Sequence, residues 1–499
     1  MALSRSTRTL ATFRSATESD SSSDRPPRRV GTRLAPDVRR AVDRLTFGQT
    51  PELLDEIHRR GLADFLARQL DPASIDDSAC DAELSAFRRL YLPATELIGG
   101  AHSQWELQNE LVGMSVVRAV KSRRQLLEVM VDFWSNHLSV NAAKHQVSYF
   151  LPADNATVRR LALGRFDELL AASARSPSML SFLDNRTSRA DGTLPPNENY
   201  ARELLEIHTL GDPAAFNEAD IKAVAHVFTG WTIDRSRWTF VFRPEWNRLG
   251  PASRRQTLGW RPEAGDGSEA NGRSLLAHLA RHPLTARNLC HKLCRYFIGD
   301  NIGADDATVR SVTARYLESG TDIRATLRAL FASDAFRSPT STRIRRPNEL
   351  LYAMLRATSA QLPLGDVQHF GRRIKEELVR LDQVTFQAPS PKGYPFEDAA
   401  WTDASSMIAR WNLAFRLAAD RADGARVALP DYAQGASNVG HFVDRIGTRL
   451  LGEPPPEAER RHLIAHLGAT AGEPVTARMR RRQPALVGLT LASPHFQTR

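Results

Sequence analysis

The side chains that could do chemistry in this chain are concentrated in two short segments. In the first, residues 196–211 (PNENYARELLEIHTLG), Asn199, Glu203 and Glu206 follow one another at spacings of four and three. Residues spaced in this way share one face of a helix. Two carboxylates three residues apart can bind a metal ion, share a proton or pair with an arginine such as Arg202.

The second segment, residues 123–141 (RRQLLEVMVDFWSNHLSVN), has the apolar spacing of a helix. Asn136 and His137 lie near its predicted carboxyl end. The helix dipole favours a cationic histidine at that position, where it could act as an acid or a base. The alternative is a surface histidine or one that caps the helix.

These residues support a first hypothesis, which is an enzyme. Its pocket would gather five polar residues from two helices beneath a proline-rich loop around Tyr394; the five are Asn136, His137, Asn199, Glu203 and Glu206. Glu203 or Glu206 would serve as a general base or a metal ligand, and His137 as an acid, a base or a ligand. A divalent metal is the candidate cofactor. The residues do not name a reaction, since hydrolysis and metal-assisted oxidation are equally unsupported by them.

The second hypothesis is a non-catalytic helical scaffold or partner protein. In that case the same polar residues form a buried structural network, and Arg202 or another arginine neutralises the carboxylates. Geometry separates the two hypotheses. Glu203 and Glu206 facing an open cavity with His137 would favour the enzyme, whereas carboxylates closed off by arginine would favour the scaffold.

The composition is that of an ordinary globular protein, with 42% hydrophobic and 25% charged residues in 499. The net charge is +10, but only six of the 67 basic residues are lysine and the bases are spread along the chain. This bias is typical of a GC-rich bacterium, and nucleic-acid binding is not expected. No apolar run is long enough to predict a membrane-spanning helix.

Several common classes of enzyme, the nucleotide-binding enzymes, serine hydrolases and zinc proteases, have no support from local motifs. The chain has no phosphate-binding glycine loop, no Gly-x-Ser-x-Gly and no His-Glu-x-x-His. Its three cysteines do not form a disulfide framework. Cys290 and Cys294 lie four residues apart in a predicted helix, and we interpret them as ordinary helix residues rather than as zinc ligands.

The periodicity predicts an all-α fold, a large multi-helix bundle with a short β-hairpin or loop excursion near residues 232–270. One of the helices is predicted over residues 154–174. Residues 383–401, rich in proline and aromatic residues, are predicted to form an ordered loop. Residues 1–34 are predicted to be a disordered Ser/Arg-rich arm without a secretory signal, which indicates a cytoplasmic protein. Residues 35–499 are predicted to be one helical domain.

Several longer sequence segments resemble those of a known family. They are RLTFGQTPE, VDFWSNHLSV, ALGRFDELLAASARSPSMLSFLDN, PNENYARELLEIHTLG, FTGW, HPLTARNLCHKLCRYFI and PSPKGYP, with LASPHFQ near the end. Over about residues 35–499 the chain resembles the bacterial family called domain of unknown function 1800. The resemblance implies a mostly helical protein with no established activity. It also implies a partner, a sulfatase-like protein of the family called domain of unknown function 1501.

The chain departs from the pattern of that family at two places. Family members commonly have a histidine where this chain has Leu161, and another near the position of Trp246 or Asn247. If those histidines bind metal or move protons in relatives, that role is lost or altered here. His145 and His226 are candidates to replace them.

Overall fold

The computed structural model describes residues 33–100, 102–144, 146–192, 195–251, 253–254, 256–337 and 342–499. Within these ranges the chain forms 25 α-helices and one two-stranded antiparallel sheet. The predicted all-α class with a short hairpin is therefore confirmed. The predicted arm lies outside the described residues apart from its last two positions, and the prediction of one helical domain stays a prediction.

Twelve helices precede the hairpin. They are α1 (Pro36–Leu45), α2 (Pro51–Arg60), α3 (Leu62–Leu70), α4 (Ser78–Leu84), α5 (Ala94–Gly99), α6 (Gln104–Lys121), α7 (Gln125–His137), α8 (Val147–Leu161), α9 (Phe166–Arg175), α10 (Pro177–Phe182), α11 (Asn199–Glu203) and α12 (Glu218–Val227). A π-helical turn, Leu204–His208, continues α11. The hairpin follows, with β1 (Trp231–Asp234) and β2 (Thr239–Phe242).

Thirteen helices follow the hairpin. They are α13 (Glu269–Arg281), α14 (Pro283–Phe297), α15 (Ala307–Glu318), α16 (Ile323–Ala332), α17 (Asp334–Arg337), α18 (Pro347–Ala357), α19 (Val367–Arg380), α20 (Ala404–Ala418), α21 (Val439–Leu451), α22 (Glu457–Leu467), α23 (Ala477–Arg481), α24 (Gln483–Ala492) and α25 (Pro494–Gln497). None of the helices in the described ranges is both long and apolar enough to cross a membrane.

Local sequence accounts for many helix ends. The side chain of Thr50 accepts the Leu53 N–H at the start of α2, and Gly61 ends that helix at φ +85°. Asn217 and Asp220 form a complete capping box at the start of α12. These polar contacts satisfy backbone groups that a helix end leaves without partners.

The core is built by close pairing of helices. α6 packs against α19, and a Cβ at Gly371 would lie 2.1 Å from the Asn109 carbonyl oxygen, so only glycine allows this approach. α20 pairs with α24 in the same way. The central helix α7 is buried along nearly its whole length, and the side chains of Phe133 and Trp134 are fully enclosed.

Residues near the carboxyl end are paired with the segment that leads into α18. Arg343 and Arg499 exchange two main-chain hydrogen bonds, of 2.9 and 2.7 Å. Both arginines lie beside the buried Glu349. Its carboxylate is 3.0 Å from Arg499 and also 3.0 Å from a third arginine, Arg346. Burial alone would raise the pKa of Glu349, but the three arginines hold it well below its usual range.

Candidate functional site

The last two residues of α7 lie inside the protein. Asn136 is 8% exposed and His137 is 2% exposed. The helix that presents them is fixed by the core, because the indole nitrogen of Trp134 donates a 2.8 Å hydrogen bond to the Ala162 carbonyl. The sequence prediction that both residues end this helix is confirmed.

Opposite His137 lies the end of the π-helical turn that continues α11. A helix end leaves its last carbonyl oxygens without intrahelical partners. Here three consecutive carbonyls accept hydrogen bonds from side chains of other helices. The donors are Lys292 Nζ to Ile207 O at 3.3 Å, His137 Nε2 to His208 O at 3.2 Å and Asn288 Nδ2 to Thr209 O at 2.8 Å. Side chains of α7 and α14 together therefore cap the end of the π-helical turn that continues α11.

The hydrogen bonds of His137 define its protonation. A carbonyl oxygen only accepts, so Nε2 carries the hydrogen, and Nδ1 faces Lys292 Nζ at 3.5 Å as an acceptor. Burial, followed by the nearby Lys292 and His208, lowers the pKa of His137 well below its ordinary value. The imidazole is therefore neutral at physiological pH, contrary to the cation that the helix dipole alone would favour.

Two further bases, the half-buried Lys292 and the buried His208, complete this cluster. Burial lowers the pKa of Lys292 to about 8. Burial and the positive Lys292 lower the pKa of His208 to about 3. The Nε2 atom of His208 is buried and has no hydrogen-bond partner within the described ranges. We call His137, His208, Lys292 and Asn288 the capping cluster.

Asn136 has a different neighbour, the proline-rich loop. Its Nδ2 donates to the Tyr394 carbonyl at 2.9 Å, and its Oδ1 accepts the Tyr394 N–H at 2.7 Å. Gly393, at φ +74°, passes so close that a Cβ there would lie 2.3 Å from the Asn136 carbonyl oxygen. The loop is thus held by its main chain, and the cavity between it and α7 has a volume of about 20 Å³, room for about one water molecule.

The predicted polar face of α11 lies nearer the protein surface than the capping cluster does. Asn199 is exposed, and its main-chain N–H bonds to the Asn197 side chain at 2.9 Å. Glu206 lies 3.9 Å from Arg202, which also contacts Glu218 at 2.9 Å. Arginine therefore partly neutralises this face, as the scaffold hypothesis expects.

Glu203 is the least compensated carboxylate on that face. Burial and then Glu206 raise its pKa, against the opposing charges of Lys392 and Arg202. Its Oε2 atom is buried and has no hydrogen-bond partner in the described part of the chain. No charged group that shifts the pKa of Glu203 also shifts the pKa of His137.

The five residues predicted for one pocket thus lie in three settings. His137 belongs to the capping cluster, Asn136 binds the loop, and Asn199, Glu203 and Glu206 line the outer face of the helix. No group of three or more His, Cys, Asp or Glu side chains in the described residues is placed to hold a metal ion. The roles predicted for these residues in catalysis stay predictions.

A family model described as a protein of unknown function, DUF1800, matches residues 40–498. The chain belongs to this family. No curated protein and no solved structure matches the chain.

The structure shows what surrounds the positions at which this chain is expected to lack the family's histidines. Leu161 is buried in the core. Trp246 stacks against Arg189, whose guanidinium carbon lies 4.1 Å from the centre of the Trp246 ring. Asn247 is buried and donates to the carbonyls of residues 227 and 229, at 3.2 and 3.0 Å. His226 bonds the Arg248 carbonyl, and His145 lies outside the described residues.

Sequence reasoning missed Lys292, Asn288 and His208. A signal was present, because Asn288 and Lys292 are four residues apart and share a face of α14. Cys290 and Cys294 on that helix are buried, and burial raises the pKa of both thiols. They are core residues, in agreement with their interpretation as ordinary helix residues.

Proposed function

We propose that this DUF1800 member is a non-catalytic helical scaffold that binds another protein. One observation carries the proposal: three polar side chains at the centre of the fold are committed to main-chain carbonyls. His137, Lys292 and Asn288 each bond one carbonyl at the end of the π-helical turn. Buried polar groups with satisfied partners stabilise one arrangement of helices.

The same contacts argue against acid–base chemistry at His137. A general acid or base has to reach a substrate proton within hydrogen-bond distance. Both nitrogens of His137 face protein groups, and the side chain is 2% exposed. Moving the ring towards a substrate would leave the His208 carbonyl buried without a donor, which costs about 1–3 kcal/mol.

An exposed apolar stripe on α20 supports binding of a partner. Ile408, Trp411 and Phe415 are 54%, 43% and 42% exposed, and the stripe is extended by the exposed Ala404 at the start of the helix and by the exposed Ala419 directly after its end. These spacings of three and four place all five positions on one helical face. Large exposed apolar surfaces mark contacts with other proteins, and this spacing fits an apolar helix of a partner chain.

The partner that family resemblance implies is a sulfatase-like protein of domain of unknown function 1501. We infer that it docks on the α20 stripe. The test is sedimentation velocity and calorimetry on a mixture of the two purified proteins. We expect a stable complex that Trp411→Ser weakens about 30-fold, since a tryptophan at the centre of an interface contributes about 2 kcal/mol or more.

Trp105→Ser is the matched control. Trp105 is also exposed, at 52%, but it lies at the start of α6, outside the stripe. It should leave the affinity unchanged. Absence of a complex with the unaltered protein would refute the partner, and equal affinity of the Trp411→Ser variant would refute the surface.

A second function, an enzyme, has one observation in its favour. Glu203 combines a raised pKa with a buried oxygen that has no partner among the described residues, which is the environment of many general acids and bases. The test compares Glu203→Gln with Glu206→Gln on model ester, amide, phosphate and sulfate substrates between pH 4 and 8. Turnover lost only in the Glu203 variant would favour the enzyme and contradict the scaffold.

A further inference from the structure

A cleft of about 470 Å³ is lined by α2, α3, the end of α6 and the end of α18. It shares no lining residue with the capping cluster or with the outer face of α11. The volume lies within the range of about 300–1,000 Å³ typical of small-molecule sites. Part of its wall is apolar, with Leu53, Phe65 and Leu355 among the lining residues.

Positive charge dominates the rest of the lining. Five basic side chains and two acidic ones face the cleft; they are Arg59, Arg68, Lys121, Arg123 and Arg356 with Glu52 and Glu56. Glu56 is already paired, at 2.5 Å with Arg68 and at 3.0 Å with Arg123. The remaining basic groups have little acidic charge to balance them.

Arg356 is the decisive side chain. It is 5% exposed, and its Nε and Nη1 atoms each donate a 2.8 Å hydrogen bond to main-chain carbonyls, of Gly48 and Val120. No carboxylate in the described ranges forms an ion pair with it, and Nη2 has no hydrogen-bond partner there. Burial lowers its pKa to about 10, with Glu52 opposing. A buried cation without a counter-ion carries a large desolvation cost.

Lys121 adds a second cation at the end of α6. Its side chain is half-buried, and it has no hydrogen bond or ion pair to any described residue. The wall between the two cations is rigid because the amide groups of Gln69 and Gln125 are both bonded to main chain. Gln69 bridges the Arg123 carbonyl and the Leu126 N–H, and Gln125 bridges the Ser122 carbonyl and the Phe47 N–H.

We propose that this cleft binds a small organic anion, with a carboxylate or phosphate group against Arg356 and Lys121 and an apolar body against the α2–α3 wall. The guanidinium group of Arg356 is held in position by its two main-chain hydrogen bonds. Binding would therefore require little reorganisation of the protein. This site is independent of the scaffold proposed above, since the partner surface lies on α20.

Isothermal titration calorimetry on the full-length protein tests the site. Three probes share one apolar body: phenyl phosphate, phenylacetate and the neutral 2-phenylethanol. We expect at least one anion to bind and the neutral compound to bind at least tenfold more weakly. Preference for phenyl phosphate would assign a phosphate ligand, and preference for phenylacetate a carboxylate.

Variants locate the binding. Lys121→Met should weaken the affinity for the anion about tenfold, because it removes one charge-assisted contact. Arg356→Met should abolish binding, and Lys121→Met keeps the test valid if the buried substitution prevents folding. Lys222→Met, at an exposed position on α12, is the control and should bind like the unaltered protein. Failure of both anions to bind, equal binding of the neutral probe, or full affinity in Lys121→Met would overturn the proposal.

Discussion

Replacing His137 by leucine isolates the helix-capping role of this side chain. Leucine is close in size to histidine but cannot donate to the His208 carbonyl, which then lies buried without a donor. At pH 8 the loss should destabilise the fold by about 1–3 kcal/mol. For 499 residues the entropy of unfolding is about 1 kcal/mol per kelvin. The expected fall in Tm is therefore about 1–3 °C.

The dependence on pH makes the test specific. The pKa of His137 is lowered in the folded state, so its neutral form contributes stability that is complete above the unfolded pKa of about 6.5 and is lost as pH falls. At pH 5 this loss reaches up to about 2 kcal/mol, because each pH unit below the unfolded pKa costs about 1.4 kcal/mol. The leucine variant has no such loss, so the difference in Tm should shrink or vanish at pH 5.

Differential scanning calorimetry at pH 8, 7, 6 and 5 measures both effects. His462→Leu is the matched control, since His462 is exposed on α22 and should leave the pH profile unchanged. An unchanged Tm at pH 8, or a difference that widens towards pH 5, would refute the assignment of His137 as a neutral buried donor.

Three further substitutions follow from the same contacts. Gly393→Ala should destabilise the fold by at least about 2 kcal/mol, because a Cβ would meet Asn136 at 2.3 Å and φ is positive; limited proteolysis should then cut the proline-rich loop. Glu203→Gln should raise Tm slightly at pH 8 and not at pH 4, since a raised carboxyl pKa gives stability that is lost as pH rises. Solvent screening keeps the gain below about 1 kcal/mol, and Glu206→Gln, on the arginine-paired carboxylate, should show a smaller effect by the same calorimetry. Asn288→Ala should lower Tm by about 1–3 °C through loss of the third capped carbonyl, with no dependence on pH between 5 and 8.

Helix type and many helix ends were predictable because they depend on local chemistry. The capping box of Asn217 and Asp220, the Thr50 cap and the hairpin after Trp231 all follow from residues within a few positions of one another. The helical periodicity of the apolar residues also indicated the all-α class.

The helix predicted over residues 154–174 is wrong in one respect, since the structure breaks it between Leu161 and Phe166. Distant residues cause the break. The Phe166 N–H bonds the Thr321 carbonyl at 3.0 Å, and the Ile323 N–H bonds the Gly164 carbonyl at 2.9 Å. No local sequence pattern indicates a backbone pairing between segments more than 150 residues apart. Such tertiary contacts override helix propensity.

The candidate site was predictable in its residues but not in its arrangement. Spacing correctly placed Asn136 and His137 at a helix end and Glu203 and Glu206 on a helix. It could not reveal the π-helical turn at Leu204–His208, which changes which side chains face α14. It also could not reveal that the donors to its carbonyls come from two other helices.

The pairing of Arg343 with Arg499 has a consequence for the order of events during folding. Arg345 bonds the Phe496 carbonyl from 151 positions away, so these contacts close a very large loop. Closing so large a loop is slow compared with forming local helices. Helices such as α7 and α14 are therefore expected to form while the charges around Glu349 still lack Arg499, and this charge cluster closes late in folding.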